Sequence, residues 1–194
     1  MIRLAMLGEI GSGKSYVAKL FGFPIFNADE QVSFLYKNDK SIFRKLNKSL
    51  PRYIKQFPID KVQLTKAIKS DKKNLVKIIK IVHPVVRSKM KSFLKKNNKQ
   101  KAVVLDIPLY LENKINLPND VLIFVDAKKN KILTYLKKRK NYDSRLISIL
   151  QSIQLSTDIK KMRSDLIIKN DFNKKNAKKK VKEIIKEIII WLKL

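Results

Sequence analysis

The sequence has no cysteine, which excludes a disulfide framework and any thiolate metal site and makes a reducing compartment the simplest one. Metal chemistry, if present, has to rest on oxygen ligands. No stretch approaches the ~20 apolar residues of a membrane span. The first residues also lack the charged region, apolar run and small-residue cleavage site of a secretory signal. A cytoplasmic chain with no membrane partner is therefore expected. Acidic residues are scarce, 16 against 45 Lys+Arg, for a net charge of +29. Such an excess invites a nucleic-acid partner. The lysines, however, run the whole length alongside abundant Ile and Asn, and form no single stripe interleaved with aromatics for base stacking. We read them as a solvated surface written by an AT-rich coding sequence, and expect no specific nucleic acid. Glycine is scarce too: there are four, and three of them, Gly8, Gly11 and Gly13, share one short loop.

What is present suits a globular enzyme. A chain of 194 residues, 44% hydrophobic, is the size of one domain carrying insertions and can bury roughly 70% of the surface its unfolded form exposes. Short aliphatic runs at 2–7, 23–26, 102–107, 121–126 and 166–170 read as buried parallel strands. Between about 30 and 98 the apolar spacing is three and four, as in Leu75, Ile78, Ile79 and Val82, with interruptions at Pro51 and Pro58. That pattern predicts a helical insertion. Helices are also expected over 14–21 and 131–138, and 139–163 reads as a polar, helix-forming candidate lid. Val181, Ile184, Ile185, Ile188, Ile189 and Leu192 fall on one face of a closing helix.

The glycine loop carries the chemistry. Gly8-Glu-Ile-Gly-Ser-Gly-Lys-Ser15 fills every fixed position of G-x-x-x-x-G-K-[ST], after one expected strand and before one expected helix. Glycines bring consecutive N–H groups close to phosphate oxygens that side chains would otherwise block. The helix adds its N-terminal partial charge, Lys14 a cation for the β- and γ-phosphates, and Ser15 a hydroxyl for Mg²⁺. The loop therefore predicts ATP as a substrate and Mg²⁺ as its companion.

Carboxylates close three of the strands. Asp29 stands where ligands bind in an open parallel sheet; it can take a proton from an attacking hydroxyl, hold the metal, or cap the next helix. Asp106 and Asp126 both end core strands and compete for the metal shell, and Pro108, which implies a sharp exit from the sheet, tilts the choice toward Asp106. Arg139 follows Lys137 and Lys138 where the lid should begin, and either stabilises γ-phosphate charge or is merely solvated. His83, the single histidine, carries no signal of its own.

With these motifs in place the chain resembles the dephospho-CoA kinases nearly end to end. Gly-Ser-Gly-Lys-Ser at 11–15 and Asn-Ala-Asp at 27–29 resemble that family's phosphate loop and Asp-Ala-Asp. His-Pro-Val-Val-Arg at 83–87 is similar to its His-Pro-x-x-Arg signature, and Leu-Asp-Ile-Pro-Leu-Tyr-Leu-Glu at 105–112 to a Leu-Asp-Ile-Pro-Leu-Leu-Phe-Glu segment. Arg139, Gln154 and Arg163-Ser-Asp fall at its lid spacings, and Ile-Ile-Lys-Asn at 167–170 resembles its last strand.

The resemblance implies transfer of the ATP γ-phosphate to the ribose 3′-hydroxyl of dephospho-CoA, the last step of coenzyme A synthesis. It implies an α/β P-loop NTPase fold, three-layered α/β/α, with a mainly parallel five-stranded sheet, a helical CoA-binding insert and a helical lid. The corresponding division is a nucleotide core at 1–28, 101–137 and 164–194, an insert at 29–100 and a lid at 138–163. Asp29, Lys14 and Arg139 become the catalytic group. Gly8, Gly11, Ser12, Gly13, Lys14, Ser15, Tyr16, Arg139 and Asn170 become the ATP-binding residues, and Asp29, His83, Arg87 and Asp106 the acceptor side. Ser15, with Asp106 as a second candidate, is assigned to Mg²⁺. Small-molecule substrates and a monomer or weak homo-oligomer are expected.

Three departures bear on activity. Leu7-Gly8-Glu9 replaces the usual Thr-Gly-Gly, placing a carboxylate beside the phosphates that is awkward unless it points away. Asn27 replaces the first aspartate of its motif, and Ser156 stands where a proline usually follows the lid glutamine. A different small P-loop kinase would share the loop and lid but gives no reason for the His-Pro and Leu-Asp-Ile-Pro-Leu segments; a nucleic-acid-binding ATPase would need the basic stripe.

Overall fold

The computed structural model describes residues 1–140 and 142–191. In chain order its first elements are β1 (Ile2–Leu7), α1 (Lys14–Leu20), β2 (Ile25–Asn27), α2 (Ala28–Asn38), α3 (Lys40–Ser49), α4 (Lys61–Ser70) and α5 (Lys72–Lys96). Then come β3 (Ala102–Asp106), β4 (Asp120–Asp126), α6 (Lys129–Lys137), α7 (Ser144–Gln151), α8 (Thr157–Met162), β5 (Leu166–Lys169) and α9 (Lys174–Trp191). The chain divides into two compact units, one of Met1–Asn27, Asn97–Tyr142 and Ile153–Leu194, the other of Ala28–Lys96 and Asp143–Ser152. Residues 138–163, expected as one lid, are thus shared between them.

The first unit is built on a five-stranded sheet, parallel throughout, in the order β2-β3-β1-β4-β5. Its strands are aliphatic on both sides because both faces are covered. Leu4 and Met6 of β1, Val104 of β3, Ile123 and Val125 of β4 and Ile168 of β5 form one cluster with Val17 and Ala18 of α1 and Val181, Ile184 and Ile188 of α9. The alternate residues Ala5, Val103, Leu105 and Phe124 are buried as well. Ile185 packs against the cluster as its spacing requires; the side chain of Ile189, and Leu192, lie outside the described residues. β2 begins later than the apolar run suggests, since Pro24 has no N–H to give a ladder, although its carbonyl accepts from Val104 N–H at 2.9 Å.

The second unit is helical, as the insertion at 30–98 predicts. α5 is its spine, burying Leu75, Ile78, Val82, Val86 and Met90 at spacings of three and four. Aspartates start the surrounding helices: Asp39 accepts from Ser41 and Ile42 N–H, Asp60 from Val62 N–H, and Asp143 from Leu146 N–H. Pro51 and Pro58 fall between α3 and α4, while Pro84 is carried inside α5 at an exposed position. No helix among the described residues is long and apolar enough to cross a membrane.

Candidate active site

β1 ends at Leu7, and Gly8 to Gly13 turn the chain into α1. Ser12 N–H bonds Glu9 O at 3.1 Å, and Val17 N–H bonds Gly13 O at 3.0 Å, which closes the first turn of α1. Gly13 sits at φ 91, where only glycine is unstrained. A Cβ there would lie 2.4 Å from Asn170 Nδ2. That amide closes the loop from β5: its Nδ2 donates to Ser12 O at 2.8 Å, its Oδ1 accepts Phe172 N–H at 3.0 Å, and both Asn170 and Ser12 are buried. Lys14 Nζ donates to Gly8 O at 3.0 Å and Glu9 O at 2.8 Å, which aims the ammonium across the loop. The Ser12 hydroxyl is fully buried with no hydrogen-bond partner in the structure. A buried orphan donor in a loop of this shape fits a phosphate oxygen.

Glu9 is turned aside. Its Oε1 accepts from Thr157 Oγ1 of α8 at 2.5 Å, so the carboxylate is engaged by α8. Ser156 caps that same helix through Ile159 N–H, the role that a proline there could not fill.

The two competing strand-end aspartates have different surroundings. Asp106, 4% exposed, accepts from Asn27 Nδ2 at 3.0 Å, and the two are register partners in β3 and β2. Asn27 thus offers Asp106 a donor where an aspartate would set a second carboxylate beside it. Asp126 is paired with Lys161 Nζ at 3.1 Å. Asp29 is the second residue of α2, inside its first turn, so it does not act as the helix N-cap; its charge there is favoured by the helix dipole. His83 and Arg87 stand one turn apart on α5, and Arg139 is exposed just beyond α6. Tyr16, on α1, is also exposed.

Sequence reasoning assigned Gly8 and Lys14 but gave no site role to Leu109, Glu112, Gln154 or Lys160 in the cleft beside the loop. All of these residues line that cleft. Leu109 has φ 60, rare for a side chain of its type, in the turn that follows Ile107-Pro108. Tyr110 anchors that turn by donating to Asp120 Oδ2 at 2.6 Å; Asp120 is also paired with Arg3 and accepts from Leu117 N–H. Burial pushes the Tyr110 hydroxyl far above the ordinary tyrosine value, and the bond to Asp120 pushes it further. Lys160 has no signal in the sequence, because it is one of 45 Lys+Arg and only packing distinguishes it.

Comparison with known proteins bears on this geometry. A family model described as dephospho-CoA kinase matches residues 2–176. A protein of Wolbachia pipientis named dephospho-CoA kinase is 34% identical over 94% of this chain and 95% of its own length. Among solved structures, a Thermus thermophilus protein superposes with TM-score 0.77 at 23% identity, covering 96% of this chain and 97% of its own. A dephospho-CoA kinase from Campylobacter jejuni superposes with TM-score 0.63 at 20% identity, over 96% of each chain. The two superpositions show that the α/β fold is shared with these solved structures.

Proposed function

The chain belongs to the dephospho-CoA kinase family, and from that premise we propose that it transfers the γ-phosphate of ATP to the ribose 3′-hydroxyl of dephospho-CoA, yielding coenzyme A and ADP. The observation that carries the reading is the phosphate loop: glycines at positive φ, the buried Ser12 hydroxyl and the Lys14 ammonium converge on one spot at the carboxyl end of β1.

In this mechanism the loop N–H groups and Lys14 hold the triphosphate tail, with Lys14 exchanging the Gly8 and Glu9 carbonyls for β- and γ-phosphate oxygens. Ser15 and Asp106 are hard oxygen donors at the start of α1 and the end of the neighbouring β3, a set that suits Mg²⁺ better than a softer ion. Magnesium bound there would neutralise charge on the β- and γ-phosphates. We assign Asp29, two residues past the carboxyl end of β2, as the base that takes the 3′-hydroxyl proton. His83 and Arg87 are assigned to the acceptor, Asn170 to holding the loop in its binding shape, and Arg139 to γ-phosphate charge in the transition state.

A coupled assay of ADP release tests the reading, run with dephospho-CoA and with a panel of nucleoside monophosphates. Stimulation by dephospho-CoA alone is expected. Turnover on a monophosphate, with dephospho-CoA inert, would sink it.

A further inference from the structure

Among the described residues Lys160 is the one buried lysine, 4% exposed. Its ammonium donates to Gln154 Oε1 at 3.0 Å and pairs with Glu112 Oε1, also at 3.0 Å. The same Glu112 oxygen accepts Leu155 N–H at 2.9 Å, so the carboxylate is itself fixed. An ammonium has three N–H groups, and these contacts use two.

As a fastener for α8 this pair makes little sense. Taking both charges out of water is costly, and a well-packed apolar pair would hold the helix as well or better. Location supplies the missing reason: Lys160 lines the same cleft as Lys14, Gly8 and Leu109, the last in its strained turn. Two ammonium groups and one carboxylate line that cleft, so it favours an anion.

We propose that Lys160 is a second phosphate-binding cation, its third N–H donated to a non-bridging oxygen of the terminal phosphoryl group held by Lys14, with Glu112 and Gln154 as positioning residues. The proposal rests on the phosphotransfer reading above. During transfer, negative charge spreads over three equatorial oxygens, and a cation on the loop side covers only part of it. A second ammonium in a dry wall acts on the rest more strongly than a solvated one, and because it is already fixed it needs no reorganisation.

The test compares wild type with Lys160→Met, Lys160→Arg and the double variant Glu112→Leu/Lys160→Met, which removes the buried pair without stranding a charge. We expect Lys160→Met to lower kcat about 100-fold, with KM for dephospho-CoA changed less than about threefold, and Lys160→Arg to recover part of the loss. The double variant should melt like wild type and remain as slow as Lys160→Met. If it regains the wild-type rate, or if Lys160→Met keeps kcat within about threefold, Lys160 serves only its carboxylate and the proposal is overturned. Titration with inorganic tripolyphosphate reads the contact without turnover. The double variant should bind it about tenfold more weakly than wild type, and equal affinity overturns the proposal. Should wild type bind tripolyphosphate yet ignore dephospho-CoA, the acceptor assignment fails, and this titration still decides on Lys160.

Discussion

At the scale of single residues, polar groups in the core do structural and chemical work together. Tyr110 shows it: the hydroxyl that anchors the cleft turn also satisfies Asp120, whose side chain is buried. The sign of the linkage is fixed by the direction of the shift. Because the folded-state value of Tyr110 is raised, its contribution is complete below the ordinary tyrosine range near pH 10 and is lost as pH rises beyond it. Tyr36, pushed up to about 12 by burial, acts in the same direction, so the useful quantity is a difference between proteins. Tyr110→Phe should cost about 1–3 kcal/mol at pH 8, from the loss of a hydrogen bond to the Asp120 carboxylate, whose Oδ2 keeps only Leu117 N–H. Urea melts from pH 8 to 11 should show wild type and variant converging as pH rises. A gap that stays constant across that range would mean the hydroxyl is not what links stability to alkali.

At the scale of elements, the phosphate loop is shaped by a strand far away in sequence. Asn170, just past β5, reaches back to the Ser12 carbonyl, and Gly13 is the residue whose missing side chain makes room for it. Gly13→Ala would add both a positive-φ penalty and a displaced Asn170. We expect a loss of about 1–3 kcal/mol in stability, together with weaker binding of magnesium-ATP by calorimetry. Unchanged nucleotide affinity would show that the tie from Asn170 does not shape the loop. The loop itself was legible because its glycines, lysine and serine act through local backbone geometry. The cap assignment weighed for Asp29 was settled only by where α2 begins: the helix starts at Ala28, one residue before it.

At the scale of the whole molecule, the net charge of +29 has a consequence whatever its origin. Among the described residues Arg3, Lys69, Lys160 and Lys161 make ion pairs, but 16 acidic residues cannot neutralise 45 Lys+Arg. Like charges within a Debye length of ~10 Å at 0.1 M salt repel one another. The melting temperature should therefore climb as NaCl is raised from low salt to about 0.5 M. A flat or falling curve would mean that self-repulsion does not limit the fold.

The sequence alone determined the parallel strands, the helical insertion and the phosphate loop, because each is written in contiguous residues: aliphatic runs, three-four spacing, and glycines ahead of Lys14. Tertiary structure decided what depends on partners distant in the chain. It separated Asp106, bonded by Asn27, from Asp126, bonded by Lys161. It turned Glu9 toward Thr157 and divided residues 138–163 between two compact units. It also chose Lys160 among many equivalent lysines, since burial is a property of what packs around a side chain and leaves no mark on the residue itself.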